Sequence, residues 1–452
     1  MLQPLSPERN NERLNALVAA LESGRMVRLR RLLSSLHPAE VAHLLESLPP
    51  PTRHLAWQLV GAGHRGEVLS YVGDEVRSDL MSDIAVEDLA SLMEDLDPDD
   101  LADILRDLPE TVVEQVLQTM DAQNRRRLET VLSYPEDTAG GLMNTDTITI
   151  RGDITLDVVH RYLRLLGALP EATDSLFVVD RDDNYQGVLL LTTLLTRKRE
   201  LTVAEVMSHG VENIPVSLPT AQVAQRFEKR DLISAPVVDE EGKLLGRITI
   251  DDVVDVIRDE ADHSLMSMAG LTEDEDTFAP VLLSLRRRSL WLGINLITAF
   301  LAAWVIGLFE ATIQKQVALA VLMPIVASMG GIAGSQTLTL VIRAMALGQL
   351  SQSNTRWLLS KELTLGVLNG LLWALVIGIV AATWFKGAEL GILIGAAIII
   401  NLIFAALSGV VVPLFLRRIG ADPALAGGVL LTTITDVVGF MAFLGFATLY
   451  LI

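Results

Sequence analysis

Residues Ala424–Leu451 read ALAGGVLLTTITDVVGFMAFLGFATLYL, and Asp436 is the one charge in the run. A stretch this long and this apolar spans the ~30 Å hydrocarbon core of a bilayer as a helix. A carboxylate near mid-membrane costs a few kcal/mol or more, so Asp436 is expected to face a wet cavity or an ion. The competing reading is an acid neutralised by a proton or by a neighbouring helix. No other span carries an equally deep Lys or Arg, which favours the ion. Thr432, Thr433 and Thr435 add hydroxyl and carbonyl oxygens beside it. Hard divalent cations take oxygen ligands or keep their own water shell.

Working outward, four more apolar runs precede this one: Leu290–Phe309, Val317–Leu340, Leu363–Phe385 and Leu390–Leu416. Five spans therefore follow Arg288. Arg286, Arg287, Arg288, Arg343, Arg356, Lys361, Arg417 and Arg418 fall on one side, and only Lys315 and Lys386 on the other. The positive-inside bias then places residues 1–285 in the cytoplasm and Ile452 outside. The polar stretch Met1–Arg13 gives no expectation of a secretory signal.

The charge divides along the same line. From Arg286 onward there are ten bases and five acids, a net of +5. The whole chain has 36 bases and 56 acids, so residues 1–285 hold 26 against 51, a net of -25. Such a surface repels phosphates, which argues against a nucleic-acid partner. The absence of cysteine excludes disulfide scaffolds, thiolate metal sites and cysteine nucleophiles. The seven histidines show no metal-ligand pairing, and no nucleophile motif appears, so an enzyme is not expected.

The second span holds Pro324 and then Gly330-Gly331-Ile332-Ala333-Gly334-Ser335-Gln336-Thr337. Pro removes a backbone hydrogen bond and glycines permit close approach. Irregular backbone lining a cavity and plain small-residue packing are both consistent with this stretch. Gly330, Gly331, Gly334, Gln336, Thr432, Thr433, Thr435 and Asp436 are the candidate pore-lining residues.

Residues 1–135 repeat a helical unit. Leu36–Pro49 recurs as Leu96–Pro109, and Val86–Leu96 is a third copy. Each places apolar residues at i, i+3, i+4 and i+7, with Pro at the helix ends. Stacked helical repeats of this kind build a broad outer surface. Glu94, Asp95, Asp97, Asp99, Asp100 and Asp103 crowd one stretch of it, either as a solvated face or as cation ligands.

A different repeat fills residues 140–258. Phe177–Leu190 matches Pro236–Thr249, each reading as strand, Asp/Gly/Asn turn and strand. Helices are expected before them (Leu156–Leu166, Ala221–Lys229) and after them (Leu191–Arg197, Asp251–Ile257). The pattern resembles a tandem pair of CBS domains. The family's Gly-hydrophobic-hydrophobic-Thr-x-x-Asp signature stands in the second copy as Gly246, Thr249 and Asp252. The resemblance implies that Thr249 and Asp252 face an adenosine nucleotide, with ATP a candidate ligand. In the first copy Leu190 and Thr193 occupy the equivalent places.

Beyond Ile257 an acidic run leads to Leu271–Arg288 and the first span, and a continuous helix here would couple the two halves. Asp252, Asp255, Asp259, Glu260 and Asp262 lie on it or just before it. Repulsion among so many carboxylates disfavours a compact state, and divalent cations would relieve it.

The whole chain resembles the MgtE family of magnesium channels and transporters. The resemblance rests on the order of its parts and on three motifs. These are Tyr134–Met143, Asp422-Pro423-Ala424-Leu425 and Asp436-Val437-Val438-Gly439. It implies an all-α helical-repeat N domain (1–135), α+β tandem CBS domains (136–200 and 201–260), a connecting plug helix (261–288) and a five-helix transmembrane domain (289–452). It also implies a homodimer in the bacterial inner membrane with a pore on the two-fold axis. Asp436 would hold a largely hydrated Mg²⁺. Regulatory Mg²⁺ would bridge Asp95, Asp99, Asp252, Asp255, Asp259, Glu260 and Asp262, with Asp422 as a partner for the plug helix. One departure is Ile332, where the family's second-span motif often has Asn. Two other functions fit the residues: transport of Mn²⁺ or Co²⁺, and a membrane-anchored ion or nucleotide sensor that passes no ion.

Overall fold

The computed structural model describes residues 7–23, 26–82, 84, 89, 96–170, 172–272 and 275–451. They fall into two units. One comprises Met1–Ala261 with Asp274–Pro280, the other Asp262–Glu273 with Val281–Ile452.

The first unit opens with short helices. The two described copies of the N-terminal repeat are Pro38–Glu46 and Pro98–Arg106, each with Pro at its first turn, where a missing N–H costs nothing. The repeat offset is visible in the core. Val41, Ala42, Leu44 and Leu45 are buried, as are Leu101, Ala102, Ile104 and Leu105 sixty positions on. At the first copy Ala39 donates to His37 Nδ1 (3.3 Å) and the His37 N–H donates to Glu40 (3.2 Å), closing both orphan donors of the helix start. The third copy lies outside the described residues apart from Leu89 and Leu96, and so does Asp95.

The CBS-like region forms two three-stranded sheets. The first runs β1 (Thr149–Arg151), β2 (Ser175–Val179), β3 (Tyr185–Leu190), and the second β4 (Ile214–Pro215), β5 (Ser234–Val238), β6 (Leu244–Thr249). In each the outer pair is parallel and the hairpin antiparallel. The registers Ser175↔Leu190 and Ser234↔Thr249 coincide after a shift of one repeat, as do the irregularities at Val178/Val179 and Val237/Val238. The leading segments are exchanged. Asn144 pairs with Arg247 on β6, and Ser208 pairs with Val188 on β3. Residues 138–144, which the domain bounds assign to the first copy, therefore extend the sheet of the second. The exchange explains two glycines: a Cβ on Gly246 would stand 2.7 Å from the Asn144 carbonyl oxygen, and one on Gly187 2.7 Å from that of Ser208.

Residues 275–280 are held against the N-terminal helices. Arg53, 1 % exposed, donates to the Leu45 carbonyl (3.0 Å) and to Asp276 (2.7 Å), and the Asp276 N–H donates to Glu75 (2.8 Å). Truncating one partner of a buried pair strands the other charge, at a cost of about 3–5 kcal/mol. Arg53→Ala is therefore expected to lower the unfolding temperature of the full chain and to open residues 275–280 to protease. Wild-type values for both would show that the pair contributes nothing.

The expected continuous plug helix is not formed. One helix runs Ile250–Ser267 and the next starts at Val281. Gly270 adopts left-handed backbone at φ +74, and Ala269, Gly270 and Leu271 donate back to Met266 and Ser267, closing the first helix. A Cβ on Gly270 would also meet the Trp291 ring at 3.3 Å.

Five helices of the second unit are long and apolar enough to cross a membrane: Val281–Gly307, Ala318–Ala346, Ser353–Trp384, Ala388–Arg418 and Pro423–Leu451. They are called the first to fifth spans below. The third helix starts at Gln352, earlier than its apolar run, because Ser351 and Asn354 form a reciprocal cap (Ser351 N–H to Asn354 Oδ1, 2.8 Å). The fourth span is the most buried and packs on the second, third and fifth. Its seam with the third uses glycines. A Cβ on Gly366 would lie 3.0 Å from the Leu402 carbonyl, and one on Gly395 3.3 Å from that of Ala374. Backbone approach of this kind is how helices associate where lipid supplies no hydrophobic drive.

Candidate functional site

Two sites emerge, one in each unit. In the membrane unit a cavity of about 980 Å³ is bounded by the second and fifth spans. The second supplies Ala327, Ser328, Gly331, Ile332, Ser335, Gln336, Thr339 and Leu340, and the fifth supplies Thr432 and Asp436. Its lining holds one carboxylate and no Lys, Arg or His. Spacing explains the selection. Residues 328, 331, 332, 335, 336 and 339 follow the i, i+3, i+4 stripe of a helix, and 432 and 436 are one turn apart.

The second span is helical through Pro324 and the glycines, without the irregular backbone that was one of its two readings. Pro324 sits in the second turn, where it removes a single hydrogen bond. Gly330 and Gly334 do not line the cavity. A Cβ on Gly330 would meet the Asn401 side chain, its Cγ at 2.8 Å, and one on Gly334 would meet Leu431 at 2.8 Å. Thr435 is fully buried and its hydroxyl bonds the helix's own carbonyls at Leu431 and Thr432. Thr433 is half-buried, donates to Val429 (2.7 Å) and is absent from the lining. Of the candidate pore-lining residues, Gly331, Gln336, Thr432 and Asp436 line this cavity, beside Ile332 and Ser335. Gly330, Gly334 and Thr435 instead lie on packed faces of their helices.

The surviving groups mostly accept hydrogen bonds. Thr432 spends its proton on the Gly428 carbonyl (2.9 Å), leaving its oxygen lone pairs free to accept. Asp436 and the Gln336 carbonyl oxygen accept as well. Waters held by a cation point their hydrogens outward, so this lining suits a hydrated ion.

Sequence reasoning missed two buried polar residues of this unit. Asn401, fully buried in the fourth span, donates to the Val326 carbonyl (2.8 Å). Glu362, 4 % exposed, accepts from Thr337 (3.0 Å) and from Lys361 (3.0 Å). Both interrupt apolar runs, and that was the available signal. Asp422 caps the fifth span, accepting from Ala424 (2.8 Å) and Leu425 (3.2 Å), and pairs with His263 (3.4 Å).

The second site is acidic and lies in the first unit. Asp99 is 8 % exposed at the start of Pro98–Arg106. Burial, then the charges of Asp252, Asp100 and Asp97, push its carboxyl well up. Asp100 is raised to about 7 by burial and then by Asp252 and Asp97. Asp252 is raised to about 7 by burial, against the lowering effect of its bond from Thr249. Asp103 is raised to about 6 by burial, opposed by Arg106. Asp255, Asp259, Glu260 and Asp262 are exposed along Ile250–Ser267, with Arg258 beside Asp255 (3.8 Å) and Asp259 (3.6 Å). Among the described residues no three His, Asp or Glu side chains converge to hold an ion directly. Thr249 and Asp252 bond to each other: the Thr249 hydroxyl (2.8 Å) and N–H (3.2 Å) both donate to Asp252 Oδ2.

Residues 323–446 match the MgtE model, described as a divalent cation transporter, 36–137 the MgtE intracellular N domain and 203–259 the CBS domain. The magnesium transporter MgtE of Thermus thermophilus is 32 % identical over 443 residues, covering 96 % of this chain and 98 % of its own. The chain belongs to the MgtE family. The MgtE magnesium transporter of Bacillus subtilis is 28 % identical over 335 residues, 74 % of each chain. The fold agrees with a crystal structure of the cytosolic domain of the Mg²⁺ channel MgtE in complex with ATP. That likeness has a TM-score of 0.50 and 31 % identity, and covers 54 % of this chain and 99 % of that one. With its five spans, this MgtE-family chain is a multi-pass membrane protein. Helical N domain, CBS pair and membrane helices occur in the order expected.

Proposed function

We propose that this MgtE-family chain is a homodimeric channel that imports Mg²⁺ across the bacterial cytoplasmic membrane and closes when cytosolic Mg²⁺ is high. The observation that carries the reading is the cavity with one carboxylate, Asp436, among Gln336, Ser335 and Thr432 oxygens and no competing cation. Mg²⁺ gives up its waters reluctantly, so a lining of acceptors recognises it through them. The cavity is open on one side of a single chain, with Ile332 and Thr432 exposed. A second copy across a two-fold axis would enclose it and bring a second Asp436 to the same ion. Lys/Arg asymmetry supports a cytoplasmic N-terminus and an outer C-terminus.

Closure is assigned to the acidic site. Beyond burial, the Asp252 charge raises the proton affinity of Asp99 and Asp100, and a cation bridging these carboxylates through water removes that repulsion. Asp255, Asp259 and Glu260 of the same unit are further candidate ligands, and Asp262 and Asp422 are candidate ligands within the second unit. Ions that bind the closed state better shift the population toward it. The domain limits proposed are 1–135, a CBS pair over 136–260 with exchanged leading segments, a connecting region over 261–288 and the pore domain from 289.

ATP is proposed as a ligand of the CBS pair at Thr249 and Asp252. A solved MgtE cytosolic domain is in complex with ATP, and in this chain Thr249 and Asp252 stand within hydrogen-bond distance of each other, which supports the reading. Asp252→Ala is expected to weaken ATP binding to the full chain about tenfold, the worth of a good polar contact. Fluorescent-nucleotide titration checks this, and unchanged affinity would move the nucleotide elsewhere.

Ile332 favours a second reading, transport of Mn²⁺ or Co²⁺, because an apolar side chain on the cavity wall cannot hydrogen-bond an ion's waters. Flux of Mg²⁺ into proteoliposomes in competition with each ion separates the two. Suppression of Mg²⁺ entry by a small excess of Mn²⁺ or Co²⁺ would favour the second.

A further inference from the structure

Asn401 belongs to the fourth span, which contributes nothing to the cavity lining, yet it touches both helices that do. Its amide donates to the Val326 carbonyl, one turn before Gly330 on the second span. A Cβ on Gly330 would stand 2.8 Å from Asn401 Cγ, and one on Gly439 of the fifth span 2.7 Å from Asn401 Nδ2. The carboxamide is thus wedged between two glycines, one on each of the two spans that bound the cavity, on faces turned away from its lining. Next along the second span is Gly331, which lines the cavity, and Asp436 is three residues before Gly439. Asn401 Oδ1 is buried and has no protein hydrogen bond, so folding alone gains little from an amide here over an apolar group of its shape. A second link holds the same helix from the third span: Thr337 donates to the buried Glu362 carboxylate (3.0 Å), next to the lining residue Gln336.

We propose that Asn401 is a positioning residue for ion passage, setting the separation of the second and fifth spans and so the width of the cavity at Asp436. The inference rests on the Mg²⁺-transport reading. The glycines are part of the device, since any side chain at Gly330 would push the second span off Asn401.

The test is flux of Mg²⁺ and of Co²⁺ through the full chain in proteoliposomes, for Asn401→Leu, Gly330→Ala and the pair Gly330→Ala/Asn401→Ala. Displacing a site by about 1 Å costs up to about a hundredfold in function. Asn401→Leu keeps the volume and loses the donor. It is expected to raise the Mg²⁺ concentration for half-maximal flux and to reduce discrimination against Co²⁺, each by about tenfold. Gly330→Ala is expected to lose most Mg²⁺ flux, and Asn401→Ala in the same chain to recover much of it by vacating the space. Thermal unfolding of the same variants should show the same coupling, independent of transport. Wild-type half-saturation and discrimination in a folded Asn401→Leu would overturn the proposal. If that variant fails to fold, absence of rescue in the double variant would overturn it. A wild-type chain that carries no Mg²⁺ would instead sink the transport reading, with the unfolding coupling still reporting on the wedge.

Discussion

Asp436→Asn is expected to reduce Mg²⁺ flux in proteoliposomes by more than about a hundredfold while leaving the fold intact. A divalent ion held about 5 Å away through one water, at an effective dielectric of about 20, is attracted to a single carboxylate by roughly 7 kcal/mol. Half of that lost to screening still exceeds two orders of magnitude. The substitution keeps the side-chain volume, and the lining has no cation that would be left unpaired. In a bacterium deficient in magnesium uptake the variant should not restore growth. Rescue equal to wild type would remove Asp436 from the ion path.

The second large effect concerns the acidic site. Asp100 and Asp252 are raised from an ordinary 3.8 to about 7, and Asp99 is raised with them. Between roughly pH 4 and 7 the folded state therefore binds more protons than the unfolded one. The linked stabilisation is complete below the unfolded value and is lost as pH rises through about 7. Without Mg²⁺, the cytosolic unit should melt at a lower temperature at about pH 8 than at about pH 5.5. Mg²⁺ should reverse the loss at the higher pH, and the concentration needed should climb as pH falls below about 7, because protons compete for the same oxygens. Changing Asp99, Asp100 and Asp252 together to Asn should flatten the pH dependence. It should also raise by more than about tenfold the Mg²⁺ needed to protect residues 250–280 from limited proteolysis. A wild-type melting temperature independent of pH and Mg²⁺ would contradict the assignment.

Periodicity made much of this legible. The five spans follow from apolar length, the N-terminal helices from their i, i+3, i+4 stripe, and the sheets from paired strand–turn–strand copies. What stayed hidden was which face each residue would present. Gly330, Gly331 and Gly334 look equivalent in one motif, yet only Gly331 reaches the cavity, because residues one apart on a helix point about 100° from each other. Asn401 is one amide in an apolar run, and nothing local indicates that it meets glycines on two other helices. The exchanged CBS segments were equally out of reach. Residues 138–144 read as the start of the first copy, and only long-range pairing puts Asn144 on β6. The break at Gly270 was within reach, since a Gly closing a helix pattern is an ordinary stop signal.

The ion proposed to pass at Asp436 is also the ion proposed to close the path from the cytosolic side. The most direct measurement is Mg²⁺ flux through the full chain in oriented proteoliposomes, with Mg²⁺ varied only on the face carrying residues 1–261. Flux is expected at low Mg²⁺ and should fall steeply as Mg²⁺ on that face rises, with no such fall in the Asp99, Asp100 and Asp252 variant. Flux indifferent to Mg²⁺ on that face, or equally inhibited in the variant, would contradict the proposal.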